Sequence, residues 1–129
     1  DKVVLIRQFR YTIGDYIYEF PAGLVEPGED FHDGAVREMY EETGLKFKPL
    51  EVDPAFEKPF FPTIGLTDES CAAVYGYASG EISKAAQEDS EEIEVVYADT
   101  DEIKRILRKE KVCMKTALLL ISLVLSFDD

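Results

Sequence analysis

Three glutamates on a short helix-forming segment with defined ends constrain this chain more than any other feature. Asp30 is a favoured residue for the start of a helix, and Gly44 suits the left-handed position that follows a helix end. These two residues predict a helix over residues 31 to 43. Its three glutamates stand at positions i, i+3 and i+4, and therefore on one side of it: Glu38, Glu41 and Glu42.

The opposite side of the predicted helix is mostly apolar, and we expect it to face the core. It carries Ala35, Val36, Met39, Tyr40 and Thr43. Like charges one helical turn apart cost about 0.2–0.5 kcal/mol per pair. Gly34, inside the same helix, costs about 0.5–1 kcal/mol more. A sequence selected only for helix stability would avoid both features.

A bound divalent cation is one explanation of the three glutamates, because it would remove their mutual repulsion. Mg²⁺ prefers carboxylate, carbonyl and water oxygens, and Mn²⁺ suits the same ligands. The alternative is an exposed acidic helix face, which is common in acidic proteins. Arg37 lies four residues before Glu41 and can pair with it, which would fix the orientation of that carboxylate.

The composition narrows the range of partners. The 129 residues include 27 acidic and 14 basic ones, for a formal net charge of −13. Surfaces that follow a nucleic-acid backbone are basic, so we expect no nucleic-acid partner. The longest apolar run, residues 117 to 127, is shorter than the ~20 residues of a membrane span, so we expect no membrane partner. Cys71 and Cys113 are predicted to be free thiols in a reducing compartment, the cytoplasm.

Strand-like and helix-like segments interleave along the chain, which predicts one domain of the α/β or α+β class. Strands are predicted over residues 3 to 9, 16 to 20, 71 to 78 and 93 to 98, with an extended segment within 46 to 57. Beyond the helix at 31 to 43, helices are predicted from a cap at Thr100 or Asp101 to about Lys109, and over residues 113 to 126.

Residues 23 to 45 resemble the Nudix box, G-x5-E-x7-R-E-U-x-E-E-x-G-U, in which U is apolar. Its defined positions hold Gly23, Glu29, Arg37, Glu38, Met39, Glu41, Glu42, Gly44 and Leu45. The resemblance implies a single Nudix domain over residues 1 to 129, folded as an α/β/α sandwich around a mixed β-sheet. It also implies Mg²⁺-dependent hydrolysis of a nucleoside diphosphate linked to another moiety.

The resemblance also implies roles for individual residues. Glu38 and Glu42 would be the main metal ligands, and Glu41 a second ligand or a bridge. The backbone carbonyl of Ala22 would supply a further oxygen to the metal, and Glu29 would orient its neighbours. Glu41 and Glu42, with Arg37 holding the carboxylates, would form the catalytic part of the box.

Two flanking segments resemble the ADP-ribose pyrophosphatase branch of the family. They read VLIRQFR over residues 4 to 10 and YEFPAG over residues 18 to 23. On this analogy Arg10 contacts the substrate diphosphate, to which a guanidinium offers a bidentate fork. Arg10 as a surface arginine at a strand end is the alternative. Glu19 is either part of the substrate site or an ordinary strand carboxylate.

A third segment, FPTIGLTDE over residues 61 to 69, resembles a loop that in this branch reads roughly P-S-P-G-x-[ST]-x-E. Gly65, Thr67 and Glu69 match and would line the terminal-ribose side of the substrate. Ile64 departs from the pattern where proline is expected, which weakens the substrate assignment. The alternative is an ordinary turn rich in proline and glycine.

The acidic connector over residues 85 to 92 is a candidate source of the catalytic base. A base must reach the attacking water directly or through a metal. By analogy with the branch we favour Glu91, then Asp89 and Glu92. A solvated acidic run is the alternative.

The resulting prediction is an enzyme that hydrolyses ADP-ribose to AMP and ribose 5-phosphate. Another nucleotide sugar or a dinucleotide, such as GDP-mannose, NADH or FAD, is the alternative within enzymes. A nucleotide-sensing Nudix-like domain is the alternative outside them. By resemblance the branch is dimeric, so we expect a homodimer. The branch also carries an N-terminal region that swaps between subunits and is not found in these residues; either it precedes them or the protein is a shorter relative with a different nucleoside site.

Overall fold

Strands and helices alternate along the part of the chain that the structure describes, residues 2–87 and 92–127 of a computed structural model. This part contains five strands: β1 (Val3–Arg10), β2 (Asp15–Glu19), β3 (Lys46–Pro49), β4 (Gly76–Ser79) and β5 (Ile93–Ala98). It contains three α-helices and one short 3-10 helix: α1 (Phe31–Thr43), α2 (Thr100–Lys109), α3 (Met114–Phe127) and Pro54–Phe56. The predicted α/β class is confirmed.

The main sheet has the strand order β2-β1-β5, and both of its ladders are antiparallel. A single parallel bridge joins Tyr18 of β2 to Val112, which adds a parallel element at that edge. The strands β3 and β4 form a separate antiparallel pair. The helix α1 packs against β3, and α2 packs against α3 and β5.

The central strand β1 separates the core from the site because successive side chains of a strand point to opposite faces. Leu5, on one face, is completely buried against α2 and α3 in a cluster that includes Ile103, Ile106 and Leu120. Gln8 and Arg10 belong to the other face, and both line a cavity beside α1. One face of β1 therefore builds the core, and the other contributes to the candidate site.

The helix α1 spans residues 31 to 43, as predicted, and its two ends have the expected caps. The Asp30 carboxylate accepts hydrogen bonds from the backbone N–H groups of His32 and Asp33. Gly44 has a φ of 79°, in the left-handed region that favours glycine, and its N–H donates to the carbonyl of Tyr40.

The expectation that the apolar side of α1 faces the core was wrong for two residues. Val36 and Tyr40 are exposed, whereas Gly34, Glu42 and Thr43 are the buried residues of the helix. The loop before the helix folds back over the glutamate side, where the N–H of residue 22 bonds to the carboxylate of residue 42. This contact accompanies the burial of Glu42, whereas Glu38 and Glu41 on the same side stay partly exposed.

Two predicted boundaries were also wrong. The strand expected over residues 71 to 78 is regular only over Gly76–Ser79, and Cys71 forms an isolated bridge with Phe60. Its partner strand ends at Pro49, beyond which the N–H of Leu50 donates to the carbonyl of Tyr75. The cap of α2 is Asp99, rather than Thr100 or Asp101, because the Asp99 carboxylate accepts from the N–H of Glu102. Within the described residues, no helix combines the length and the apolar character needed to cross a membrane.

Candidate active site

A cavity of about 290 Å³ opens where β1, the loop before α1, and α1 meet. Its lining residues are Gln8, Arg10, Ala22, Gly23, Leu24, Glu38, Glu41 and Glu42. The structure thus brings the three helix glutamates to one cavity with the arginine that the sequence assigned to substrate. Positive and negative side chains face the same space, which suits a ligand that carries phosphates together with cations.

The loop before α1 lies in close contact with two of the glutamates. Glu42 is only 4% exposed, and its Oε1 accepts a hydrogen bond of 2.9 Å from the N–H of Ala22. A Cβ atom on Gly23 would lie 2.0 Å from the carboxyl carbon of Glu38. Glycine at this position therefore allows the Glu38 side chain to lie directly against the loop backbone.

Arg37 pairs with several of the carboxylates on this side of the helix and offsets part of their negative charge. Its Nε and Nη2 donate to both oxygens of Glu29, at 2.9 and 3.0 Å. Its Nη1 donates to Glu38 at 2.9 Å and to Glu41 at 3.2 Å, and its Nη2 also donates to the carbonyl of Leu24. The pairing with Glu41 was predicted, whereas its pairing with Glu29 and Glu38 was not.

The pairing of Arg37 with Glu29 shifts the pKa values of both side chains. Hydrogen bonds from Arg37, and from the N–H of Glu26, hold the pKa of Glu29 below its ordinary value of 4.5. The hydrogen bond to Glu29 is likewise the main reason that the pKa of Arg37 is raised. Both shifts favour the charged forms, which are the forms that make the ion pair.

The structure explains why position 34 is a glycine, which the sequence alone did not. A Cβ atom at this position would lie 3.1 Å from the Glu29 Oε1 atom and 3.6 Å from a methyl carbon of Val25. The missing side chain thus leaves room for the loop that carries Glu29. The unfavourable helix propensity of this glycine is the cost of a close contact that holds Glu29 beside Arg37.

Arg10 is joined to Glu19 on the neighbouring strand by a bidentate ion pair. Its Nε and Nη2 donate to the two carboxylate oxygens, at 2.8 and 2.9 Å. The hydrogen bond to Glu19 raises the pKa of Arg10. Glu19 does not line the cavity, so its contact with the site passes through Arg10.

Other predicted site residues lie away from this cavity. Gly65, Thr67 and Glu69 lie in an exposed loop and do not line it; within that loop the Thr67 hydroxyl accepts from the N–H of Glu69. Glu91 lies outside the described residues, as do residues 88 to 90. Glu92 is exposed, and its carboxylate is 3.5 Å from the hydroxyl of Tyr16.

The sequence reasoning missed Gln8 and Gln87. Gln8 lines the cavity, and it could have been found because it stands two residues before Arg10 on the same face of a strand. Gln87 donates from its amide to the carbonyl of Glu42 at 2.7 Å. Nothing in the sequence places it there, because this contact joins residues 45 positions apart.

The donor set of the cavity suits a hard divalent cation, since three carboxylates line it. Within residues 2–87 and 92–127, however, no three acidic, histidine or cysteine side chains already form a cation cage. Oxygens of Glu38 and Glu41 accept from Arg37, and one oxygen of Glu42 accepts from Ala22. An ion held by these carboxylates would share their oxygens with these hydrogen bonds or replace some of them.

A family model for the NUDIX domain matches residues 1–116 of this chain. The chain belongs to the Nudix family. The Nudix fold and the Nudix box expected from the sequence are therefore confirmed. Members of this family generally use divalent metal ions.

Several curated relatives are similar to this chain. The ADP-ribose pyrophosphatase of Bacillus subtilis is 32% identical over 115 residues, which are 86% of this chain and 58% of that protein. The ADP-sugar pyrophosphatase of Mus musculus is 49% identical over 53 residues, 41% of this chain and 24% of that protein. The ADP-ribose pyrophosphatase of Saccharomyces cerevisiae is 39% identical over 67 residues, which are 51% of this chain and 29% of that protein. The chain thus spans about a quarter to three fifths of the length of these relatives.

The lowered pKa of Glu29 predicts a pH dependence of stability. A carboxyl group with a lowered pKa in the folded state stabilises the fold above its ordinary value of 4.5. This contribution is lost as the pH falls through the lowered pKa. We expect Glu29→Gln to melt at a lower temperature than wild type at neutral pH, and the two melting curves to converge in acid.

Glu26→Gln is the matched control for this experiment. Its side chain is mostly exposed and lies 3.9 Å from Arg37, so the control should keep the pH dependence of the wild type. An equal difference in melting temperature between Glu29→Gln and wild type at all pH values would contradict the assigned role of the Arg37–Glu29 pair.

Proposed function

We propose that this chain hydrolyses the diphosphate bond of a nucleoside diphosphate derivative with the help of Mg²⁺, which Mn²⁺ can replace. The observation that carries the proposal is the single cavity lined by Arg10 and by the three glutamates of α1. The names of the similar pyrophosphatases from Bacillus subtilis, Mus musculus and Saccharomyces cerevisiae support the same reaction class.

The side chains of the cavity have distinct roles in this proposal. Glu38 and Glu42 hold the metal, Glu41 acts as a second ligand or bridge, and the carbonyl of Ala22 provides a further oxygen. A divalent ion bound there would neutralise the diphosphate and lower the pKa of a bound water. Arg10 binds a phosphate oxygen through its planar guanidinium.

Two further groups complete the proposed site. Glu91 is the favoured catalytic base, with Asp89 and Glu92 as alternatives, because the acidic connector leads into β5 beside β1. Gly65, Thr67 and Glu69 contribute to the terminal-ribose side. Their loop does not line the cavity, so this assignment requires the loop to approach the site when substrate binds.

ADP-ribose is the proposed substrate, with AMP and ribose 5-phosphate as products. The flanking segments that contain Arg10 and Glu19 support this choice over nucleoside triphosphates. The measurement is product chromatography over a panel of ADP-ribose, GDP-mannose, NADH and FAD. Faster turnover of GDP-mannose or of a dinucleotide would show that the substrate is another member of the same class.

Glu42→Gln separates a metal ligand from a structural carboxylate. The glutamine oxygen can still accept from the N–H of Ala22, and the loss of charge relieves about 0.2–0.5 kcal/mol of repulsion with Glu38. We expect the metal-free variant to melt at the same temperature as wild type or higher. Its activity should fall about a hundredfold or more, because positioned charge is commonly worth about 10²–10³ in rate.

Thermal melts with and without Mg²⁺ should accompany the rate assay. Mg²⁺ should raise the melting temperature of the wild type, since it binds the folded state, and should raise that of Glu42→Gln less. Asp33→Asn, an exposed carboxylate on the same helix, is the control and should behave as wild type. A Glu42→Gln variant that melts earlier without metal and stays active would refute the metal site.

The chain is also proposed to act as an enzyme rather than as a nucleotide sensor, because the box retains each of its glutamates. Sensors bind nucleotides without cleaving them, so the absence of any product from the whole panel, with binding retained, would favour the sensor. The free thiols of Cys71 and Cys113 support a reducing compartment, for which we propose the cytoplasm.

We propose a homodimer, supported by the number of apolar side chains that α3 exposes, among them Met114, Leu118 and Leu125. An exposed apolar face of this kind commonly marks an interface. Sedimentation velocity at micromolar concentration should show a species of twice the chain mass of 14.6 kDa. A monomer alone at that concentration would contradict the dimer.

A further inference from the structure

The segment around residues 83 to 87 packs tightly against the C-terminal end of α1. The last turn of a helix leaves carbonyl groups without partners inside the helix. Here the N–H of Ser83 donates to the carbonyl of Thr43 at 2.9 Å, and the side-chain amide of Gln87 donates to the carbonyl of Glu42 at 2.7 Å. Two helix-end carbonyls are thus satisfied by one distant segment.

The contact is close enough to restrict the residue that follows the helix. A Cβ atom at Gly44 would lie 2.5 Å from the backbone nitrogen of Ser83, nearer than a side-chain carbon can approach. Gly44 therefore does more than end the helix with a positive φ. It also admits the segment that carries Gln87 to the helix end.

As a result, both the side-chain carboxylate and the backbone carbonyl of Glu42 are hydrogen-bonded. Its carboxylate accepts from the N–H of Ala22 on one side, and its carbonyl accepts from Gln87 on the other. The residue is 4% exposed, so packing also restricts it. Together these contacts fix both the backbone and the side chain of one of the cavity glutamates.

Gln87 also connects the helix end to the sheet. Its Nε2 atom lies 3.5 Å from the carbonyl oxygen of Ile93, the first residue of β5. Ile93 pairs across the ladder with Gln8 of β1, which lines the cavity. One side chain therefore spans from the glutamate helix to the first residue of β5, whose ladder partner in β1 lines the cavity.

We propose that Gln87 is a positioning residue. By holding the backbone carbonyl of Glu42, it sets the direction of the Glu42 carboxylate, and this direction sets the metal affinity of the cavity. The proposal rests on the proposed function, in which Glu42 is a metal ligand. Groups that orient metal ligands typically change metal affinity or activity by about 10–100-fold when they are removed.

The test replaces Gln87 by Met, which keeps an unbranched side chain of similar length but has no N–H donor. We expect Gln87→Met to lower kcat about tenfold or more and to weaken Mn²⁺ binding, measured by calorimetry without substrate, by a similar factor. The KM for ADP-ribose should change little, because Arg10 is untouched. Exchange of the Ser83 amide hydrogen should become faster, since the segment is held less firmly.

Two further variants separate positioning from a general loss of structure. Gln87→Lys returns an N–H donor of similar reach and should restore most of the kcat and of the Mn²⁺ affinity. Lys84→Ala changes an exposed side chain of the same segment and should leave both unchanged. Gln87 is half-buried, outside the main core, so its replacement leaves the core packing intact.

The outcomes distinguish this proposal from the proposed function. If Gln87→Met melts earlier but keeps the kcat and the Mn²⁺ affinity of the wild type, Gln87 is only a structural cap and the proposal is overturned. Equal losses of kcat and Mn²⁺ affinity in Gln87→Met and Gln87→Lys would also overturn it, because the N–H donor at this position would then have no effect. If the wild type hydrolyses nothing in the panel, the proposed function fails, and the Mn²⁺ titrations still decide the role of Gln87.

Discussion

The guanidinium of Arg37 is the interaction on which the glutamate side of α1 depends. Without it, Glu29, Glu38 and Glu41 would place three negative charges close together beside a backbone that is partly removed from water. Arg37 donates to each of them and to one loop carbonyl, so the loop, the helix and the charges form one network. The network offsets part of the repulsion among these carboxylates.

Close backbone approaches give this network its shape, and glycine makes each of them possible. Gly23 lets the Glu38 side chain lie against the loop, Gly34 leaves space for Glu29, and Gly44 admits the segment at the end of the helix. Gly34 lowers the stability of the helix, because glycine has the greatest backbone freedom to lose on folding, whereas Gly44 suits its positive φ. The cost at Gly34 is offset by the contact between Glu29 and Arg37 for which it leaves space.

Local signals in the sequence predicted the helix α1, its caps and the side on which its glutamates lie. These features follow from residue type and from the 3.6 residues of each helical turn. Because strand side chains alternate between two faces, the sequence would also have placed Gln8 on the same face as Arg10. The exposure of Val36 and Tyr40 was not predictable in this way, because a returning loop decides which face is covered. The contact of Gln87 with Glu42 depends on tertiary structure in the same manner.

A crystal structure of the protein with Mn²⁺, whose anomalous scattering identifies the ion, tests the central claim most directly. We predict an ion bound by carboxylate oxygens of Glu38 and Glu42, with Arg37 released from Glu38 and still paired with Glu29. An occupied Mn²⁺ site elsewhere on the chain, with Arg37 still bonded to Glu38 and Glu41 as in this structure, would contradict it.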